Sequence, residues 1–202
     1  MNLSLSKSLI LVFLTFFTCW NVVAQASFFG LKGGYNISSL SSSGQSKIKL
    51  EDRNAFNVAG VISFREWQSK WGFSLEPGYT LKGTLTNADT LDYRFHYLTL
   101  PLLVDCYPIK RLKISAGPEI SYLVSTKNKV NDTIKVNLLN TYGNRLEFSA
   151  TIGAAYELDY FVDIGIRYNA SLTKISDFDP ELGMKNLRNQ YFQVYLLFKI
   201  AN

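Results

Sequence analysis

Among 202 residues there is one histidine, His96, and any general-base chemistry would begin there. Thr90, Tyr97 and Thr99 are the hydroxyls nearest to it in sequence, and Asp92 is the candidate to orient its ring. Base, nucleophile and orienter are what a hydrolase needs. A lone histidine is read first as a polar residue at an interface, and catalysis at His96 is the alternative. Metal chemistry has less to work with. No Cys-x-x-Cys pair or His/Cys cluster occurs, and the acidic run DFDPE (177–181) lacks the spacing and glycine of an EF-hand loop. Gly33-Gly34 precede no helix, so they do not cradle a phosphate. No catalytic residue, metal or cofactor is expected.

A second set of charged residues recurs at regular places. Glu76, Glu119 and Glu147 are matched by Arg65, Lys82 and Arg167. Charges of both signs are stable in an enclosed space only when they neutralise one another. These six are read as one lumen network, with Arg167 within salt-bridge reach of Glu76 or Glu119. The reading requires elements that aim all six inward.

Those elements are strands. In WGFSLEPGYTLKGT (71–84) the odd positions carry Trp71, Phe73, Leu75, Pro77, Tyr79 and Leu81, while Gly72, Ser74, Glu76, Gly78, Thr80 and Lys82 alternate with them. A period of two marks an extended strand with one apolar and one polar face. The same pattern recurs in FFGLKGGYNISSL, AFNVAGVISFREW, YRFHYLTLPLLVDCY, LKISAGPEISYLV, RLEFSATIGAAYEL, FVDIGIRYNASL and NQYFQVYLLFKI. That makes eight strands. Tight links (WQSK, YPIKR and the LDY of 158–160) join strands 2–3, 4–5 and 6–7, and longer polar segments join the others. Short turns and both termini at one end, long loops at the other, is the layout of an up-and-down transmembrane barrel.

Alternation alone leaves the sidedness open. A soluble lipocalin-like carrier would turn its apolar row inward, and a membrane barrel turns it outward. The polar row is rich in Gly and Ser and carries both signs of charge, which suits a narrow filled lumen. Aromatic residues near the row ends suit two bilayer interfaces. The apolar face is therefore expected to meet lipid. Pro77, Pro101 and Pro118 fall inside strands, and each is expected to mark a bulge or a strand end.

The first residues read as a targeting segment. Lys7, the apolar run LILVFLTFFTCW (9–20) and the small residues Ala24 and Ala26 describe a secretory signal peptide over 1–26. The barrel domain would then span 27–202. Cys106 would be the only cysteine left, so no intrachain disulfide is expected. The formal charge falls from +5 to +4 with the loss of Lys7. No run of like charge points to nucleic acid.

FGLKGGYNISSL, LEPGYTLKGT, YLTLPLLVDCYP, ISAGPEISYLVS and TIGAAYELDYFVDIGIRYNASLTKI together resemble the PorT-like outer-membrane β-barrel family of Bacteroidota. The resemblance implies an exported eight-stranded barrel with both termini periplasmic. It implies partners of the same setting: outer-membrane lipid and lipopolysaccharide, the barrel-insertion machinery, and envelope or secretion-system proteins. The family's namesake is implicated in type IX secretion. The chain ends Phe198-Lys-Ile-Ala-Asn rather than on an aromatic residue, so Tyr195 and Phe198 would serve the insertion machinery.

The expected role is non-enzymatic: envelope structure, adhesion or docking. A lipid-modifying enzyme using His96 and a soluble periplasmic carrier are the alternatives. Lys47, Lys49, Lys127 and Lys129 are placed in loops where lipopolysaccharide phosphates would meet them. Asp89-Thr90-Leu91 and Asp132-Thr133-Ile134 match a short O-glycosylation pattern of this bacterial group.

Overall fold

A computed structural model describes residues 26–41, 50–66, 68–86, 91–130, 133–136, 144–179 and 184–200. The expected signal peptide lies outside them except for Ala26, the first residue of a strand. The described strands are β1 (Ala26–Ser41), β2 (Leu50–Glu51), β3 (Arg53–Arg65), β4 (Trp71–Leu75), β5 (Gly78–Thr86), β6 (Leu91–Ile109), β7 (Leu112–Val130), β8 (Thr133–Val136), β9 (Leu146–Asp159), β10 (Val162–Ser171), β11 (Ser176–Asp179) and β12 (Met184–Ile200).

Eight staves close a ring, because β4 and β5 form one stave and β2, β8 and β11 are short additions at its loop end. Each stave pairs antiparallel with its neighbours in chain order, and β1 closes on β12 with Phe29 opposite Ile200 and Ser41 opposite Arg188. Turns of a few residues join β3 to β4, β6 to β7 and β9 to β10. Closure leaves the ring no free edge, the condition for strands to cross lipid.

The apolar row faces out. Phe73 is 63% exposed, and Leu31, Leu98, Ile152, Ile164, Ile166, Val194 and Phe198 are exposed with it around the whole circumference. Glu76 and Arg167, on the other face, are each 2% exposed. A soluble protein rarely exposes an apolar patch above a few hundred Å², and this belt encircles the barrel. The lipocalin-like alternative needs the opposite sidedness and is excluded.

Two of the three prolines depart from expectation. Pro77 sits in the break between β4 and β5, whereas Pro101 and Pro118 run inside β6 and β7. Pro77 and Pro101 each keep a hydrogen bond through the carbonyl. Glu76 N donates to Pro101 O at 3.2 Å, and Gly60 N donates to Pro77 O at 2.9 Å. Proline lacks only the donor, so its neighbour keeps one bond of two. Near Pro118 the β6–β7 pairing pauses between Pro101·Glu119 and Val104·Ala116.

A seam runs between β3 and β5, which pair only from Asn57·Thr80 to Ala59·Gly78. Beyond that point side chains replace the ladder. Asn57 Nδ2 donates to Tyr79 O at 3.3 Å and Asn36 Nδ2 to Leu81 O at 3.5 Å. Ser38 Oγ accepts from Gly83 N at 2.9 Å and donates to Gly83 O at 3.1 Å. Here β5 tucks under its neighbours, which buries Leu81, a residue that the alternation places on the lipid side. Gly83 has φ +146°, and a Cβ on it would meet Tyr93 O at 1.9 Å. Only glycine fits that backbone.

Candidate functional site

The lumen holds a charge network assembled by strands far apart in sequence. Arg167, on β10, donates from Nη1 to Glu76 Oε2 at 2.7 Å and from Nη2 to Glu76 Oε1 at 2.8 Å. Lys32, on β1, pairs with Glu76 as well. Lys82, on β5, lies 2.7 Å from Glu147 Oε1 and 3.2 Å from Glu119 Oε1. Tyr191 donates to Glu119 Oε2 at 3.0 Å, and Asn189 donates to Glu147. Midway along the barrel four described cations (Lys32, Lys82, Lys113, Arg167) face four carboxylates (Glu76, Asp105, Glu119, Glu147), all buried, while Asp163, buried at the short-turn end, pairs with Lys199. The balance is neutral, as burial of ions in a low dielectric requires.

Aromatic rings line the same space. Lys82 Nζ lies 4.8 Å from the Tyr97 ring centre and 5.3 Å from that of Tyr191. Lys32 and Arg167 both face Tyr195, at 5.2 and 5.3 Å. Gly165 leaves room for that ring, since a Cβ there would meet Tyr195 Cζ at 2.3 Å. Cation–π contact adds to ion pairing at no cost in net charge.

Both ends of the lumen are apolar, which the reading of a uniformly polar inner row missed. At the short-turn end Val61, Ala155, Tyr195 and Leu197 pack together with Phe28. At the loop end Leu40, Tyr93, Phe95, Leu123, Ile175 and Leu187 are buried. Along β6 the inner residues run from Tyr93, Phe95 and Tyr97 to Thr99 and Asp105, while the outer ones run from Asp92, Arg94 and His96 to Leu98, Leu102 and Val104. The strand thus exchanges its apolar and polar faces between His96 and Leu98. Above that level it has water outside and must bury apolar groups inside, like any soluble sheet. On β12 the outer face changes likewise from Arg188 and Gln190 to Phe192 and Val194.

The structure brings Glu76, Glu119, Glu147, Lys82 and Arg167 into the lumen. Arg65 is a correction: it is exposed at the end of β3, donates from Nε to Ser69 O at 2.8 Å and stacks 3.8 Å from the Tyr107 ring. It lies at the rim of the barrel, past the apolar plug, rather than inside the lumen. Lys32, Asp105 and Lys113 are the members that sequence reasoning missed as charges of the network. Their signal was their place in the polar rows of β1, β6 and β7.

The His96 set is not assembled. His96 Nδ1 is bonded to the Tyr79 hydroxyl. Tyr97 OH points into the lumen, where Asn189 Nδ2 donates to it at 3.2 Å, and Thr99 Oγ1 lies there beside Thr80 Oγ1 at 3.2 Å. Asp92 is engaged by Arg53 and Arg94. Thr90, Asp89, Asp132, Lys47, Lys49, Pro180 and Glu181 lie outside the described residues. Lys127 is exposed on β7; Lys129, Thr133, Asp177 and Asp179 are described as strand backbone alone.

Comparison with known proteins follows the same lines. A family described as outer membrane protein beta-barrel domain matches residues 23–177. No curated protein matches the chain. Among solved structures, Neisserial surface protein A is similar over 87% of this chain and 99% of its own, with a TM-score of 0.55 and 15% identity. Ail, the attachment invasion locus protein of Yersinia pestis, is similar over 87% of this chain and 100% of its own, with a TM-score of 0.53 and 12% identity. At these identities the likeness is one of fold.

Proposed function

Since the chain belongs to the outer membrane protein beta-barrel domain family, we propose that it is a non-enzymatic outer-membrane anchor that presents a docking surface beyond the outer leaflet. The observation that carries this reading is the length of β6 and β7. Each has 19 residues, whereas crossing the bilayer takes about 9–11. The surplus lies past the exchange of faces at His96 and Leu98. There the hairpin gains a third strand, β8, paired to β7 from Lys127·Val136 to Val130·Thr133. A built sheet held out in water by a plugged barrel serves contact rather than passage.

The finer parts of the reading follow from the sequence. A secretory leader delivers the chain, both termini lie in the periplasm beside the short turns, and the resemblance to the PorT-like family supports a source in Bacteroidota. Tyr195 and Phe198 serve the insertion machinery, and lipopolysaccharide and an envelope or secretion-system protein are the partners. Ail carries attachment and invasion in its name, which accords with a role at the surface.

Photo-crosslinking in intact cells tests docking. A photoreactive residue at Lys135, in β8, is expected to capture a discrete envelope or surface partner, and one at Tyr160, in the β9–β10 turn, is not. No adduct from the hairpin, together with steady conductance in planar bilayers, would replace docking with transport.

A further inference from the structure

Just beyond the apolar band, the outward face of β5, β6 and β7 changes character in steps. Along β6, exposed Leu98 is followed by His96, then Arg94, then Asp92. The register sets Arg94 between Gly83 on β5 and Lys127 on β7. Gly83 contributes no side chain there, and Lys127 is exposed.

Asp92 holds two guanidinium groups at once. Arg53 Nε donates to its Oδ1 at 2.8 Å, Arg94 Nε donates to its Oδ2 at 2.7 Å, and Arg94 Nη2 lies 2.6 Å from the same oxygen. The Arg53 side chain is nine-tenths buried and passes over Gly83, where a Cβ would come within 3.4 Å of Arg53 Cδ. Its Nη1 is enclosed and has no acceptor. Arg94 is 44% exposed. Below them His96 feels the charge of Lys127, Arg53 and Arg94, and its Nε2 has no partner. Glu51 is opposite Leu85, which in turn is opposite Asp92, so that row stands two residues beyond the Gly83–Arg94–Lys127 row.

Four residues separate Leu98 from Arg94, about 13 Å along a strand and less along the membrane normal once tilt is included. Tilted by about 40°, that rise is about 10 Å, which carries Arg94 from the hydrocarbon across a headgroup layer of about 5–8 Å to its outer side. Acyl chains lying on Leu98, Tyr122 and Val124 therefore bring their headgroup to the level of Arg94 and Lys127. Guanidinium forks match phosphate oxygens in shape and charge.

The geometry points to a binding site for the phosphate of an anionic outer-leaflet lipid, made by Arg94, Lys127 and Arg53, with Asp92 holding the two arginines side by side. The inference rests on the outer-membrane reading and assigns its lipid partner a place.

The test uses the mature chain refolded into phosphatidylcholine nanodiscs that contain either bis-phosphorylated lipid A or the same lipid with its phosphates removed. Retained lipid is read by native mass spectrometry, and folding by heat-dependent gel mobility. The phosphorylated lipid is expected to be retained selectively. R94Q/K127Q is expected to lose about tenfold of that retention, the scale of one or two charge-assisted hydrogen bonds. R94K/K127R keeps most of it, and K199Q, at the opposite end, changes nothing. If the double variant does not fold, K127Q alone, on an exposed position, makes the same comparison with a smaller loss. Equal retention of dephosphorylated lipid, or unchanged retention in R94Q/K127Q, overturns the site. Displacement by inorganic phosphate at equal concentration assigns it to a soluble anion and overturns the lipid assignment. A chain that folds in neither bilayer would sink the outer-membrane reading itself, whereas a folded chain without selectivity sinks the site alone.

Discussion

Arg167 and Glu76, 91 residues apart, face each other across the lumen in a two-pronged ion pair, Nη1 to Oε2 at 2.7 Å and Nη2 to Oε1 at 2.8 Å. The pair ties β10 to the break between β4 and β5, where proline has removed ladder hydrogen bonds on both flanks. Removal of one partner leaves the other charge buried. Arg167→Met is expected to destabilise the barrel by about 3–5 kcal/mol, read as a shift in urea unfolding from lipid vesicles. K32M/E76M/R167M/E119Q, which removes the three linked charges and one further glutamate so that the lumen stays neutral, is expected to recover most of the loss. Equal stability of wild type and Arg167→Met would show that the pair contributes nothing.

The β3–β5 seam depends on Gly83. Its φ is +146°, and a Cβ added there would stand 1.9 Å from Tyr93 O, which leaves no room for a side chain. Gly83→Ala is expected to cut the folded fraction sharply, measured by heat-dependent mobility on gels. Gly33→Ala, with nothing within 4 Å of its Cβ position, is the control and is expected to fold within about 0.5 kcal/mol of wild type. Matching behaviour of the two would remove the steric account of the seam.

On the lipid side the expectation concerns solvation. Ile166 is 50% exposed next to buried Arg167, so the two neighbours sample opposite media. Ile166→Arg is expected to cost about 2–4 kcal/mol for insertion, as an arginine near the bilayer midplane does. The measurement is folding into vesicles at increasing urea. An Ile166→Arg barrel as stable as wild type would place water, not hydrocarbon, around this face.

The plugged lumen makes an electrical prediction. Wild-type protein in planar bilayers is expected to show no steady conductance, because side chains fill an eight-stranded interior. Y97A/Y191A removes both rings that flank Lys82, and is expected to produce brief openings. Steady current through the wild type would contradict a filled lumen.

Much of this architecture was legible as period-two alternation. Phe73, Ile164 and Phe198 stand outward and Glu76, Lys82 and Arg167 inward because successive side chains on a strand must point to opposite faces. The alternation of short and long links likewise showed which end carries the loops. The error at Arg65 has a plain cause. Parity tells which face a residue takes in the strand but not whether the strand has already left the enclosed region. Leu81 was misplaced because β5 tucks under β3, a departure from the cylinder that no local pattern records. Tyr93 and Phe95 were read without a side because their strand changes surroundings partway along its length.

The sequence by itself determined eight strands, their two faces and the family to which they belong, since these follow from local side-chain periodicity and from motifs spread along the chain. Only the tertiary structure decided which charges meet. Lys32, Glu76 and Arg167 come from three different parts of the chain, and their contact depends on ring closure and on the stagger between staves. Those are properties of the closed sheet as a whole. The apolar plugs at the two ends of the lumen and the arginine pair on Asp92 arise in the same way, from the height at which each strand passes from hydrocarbon to water.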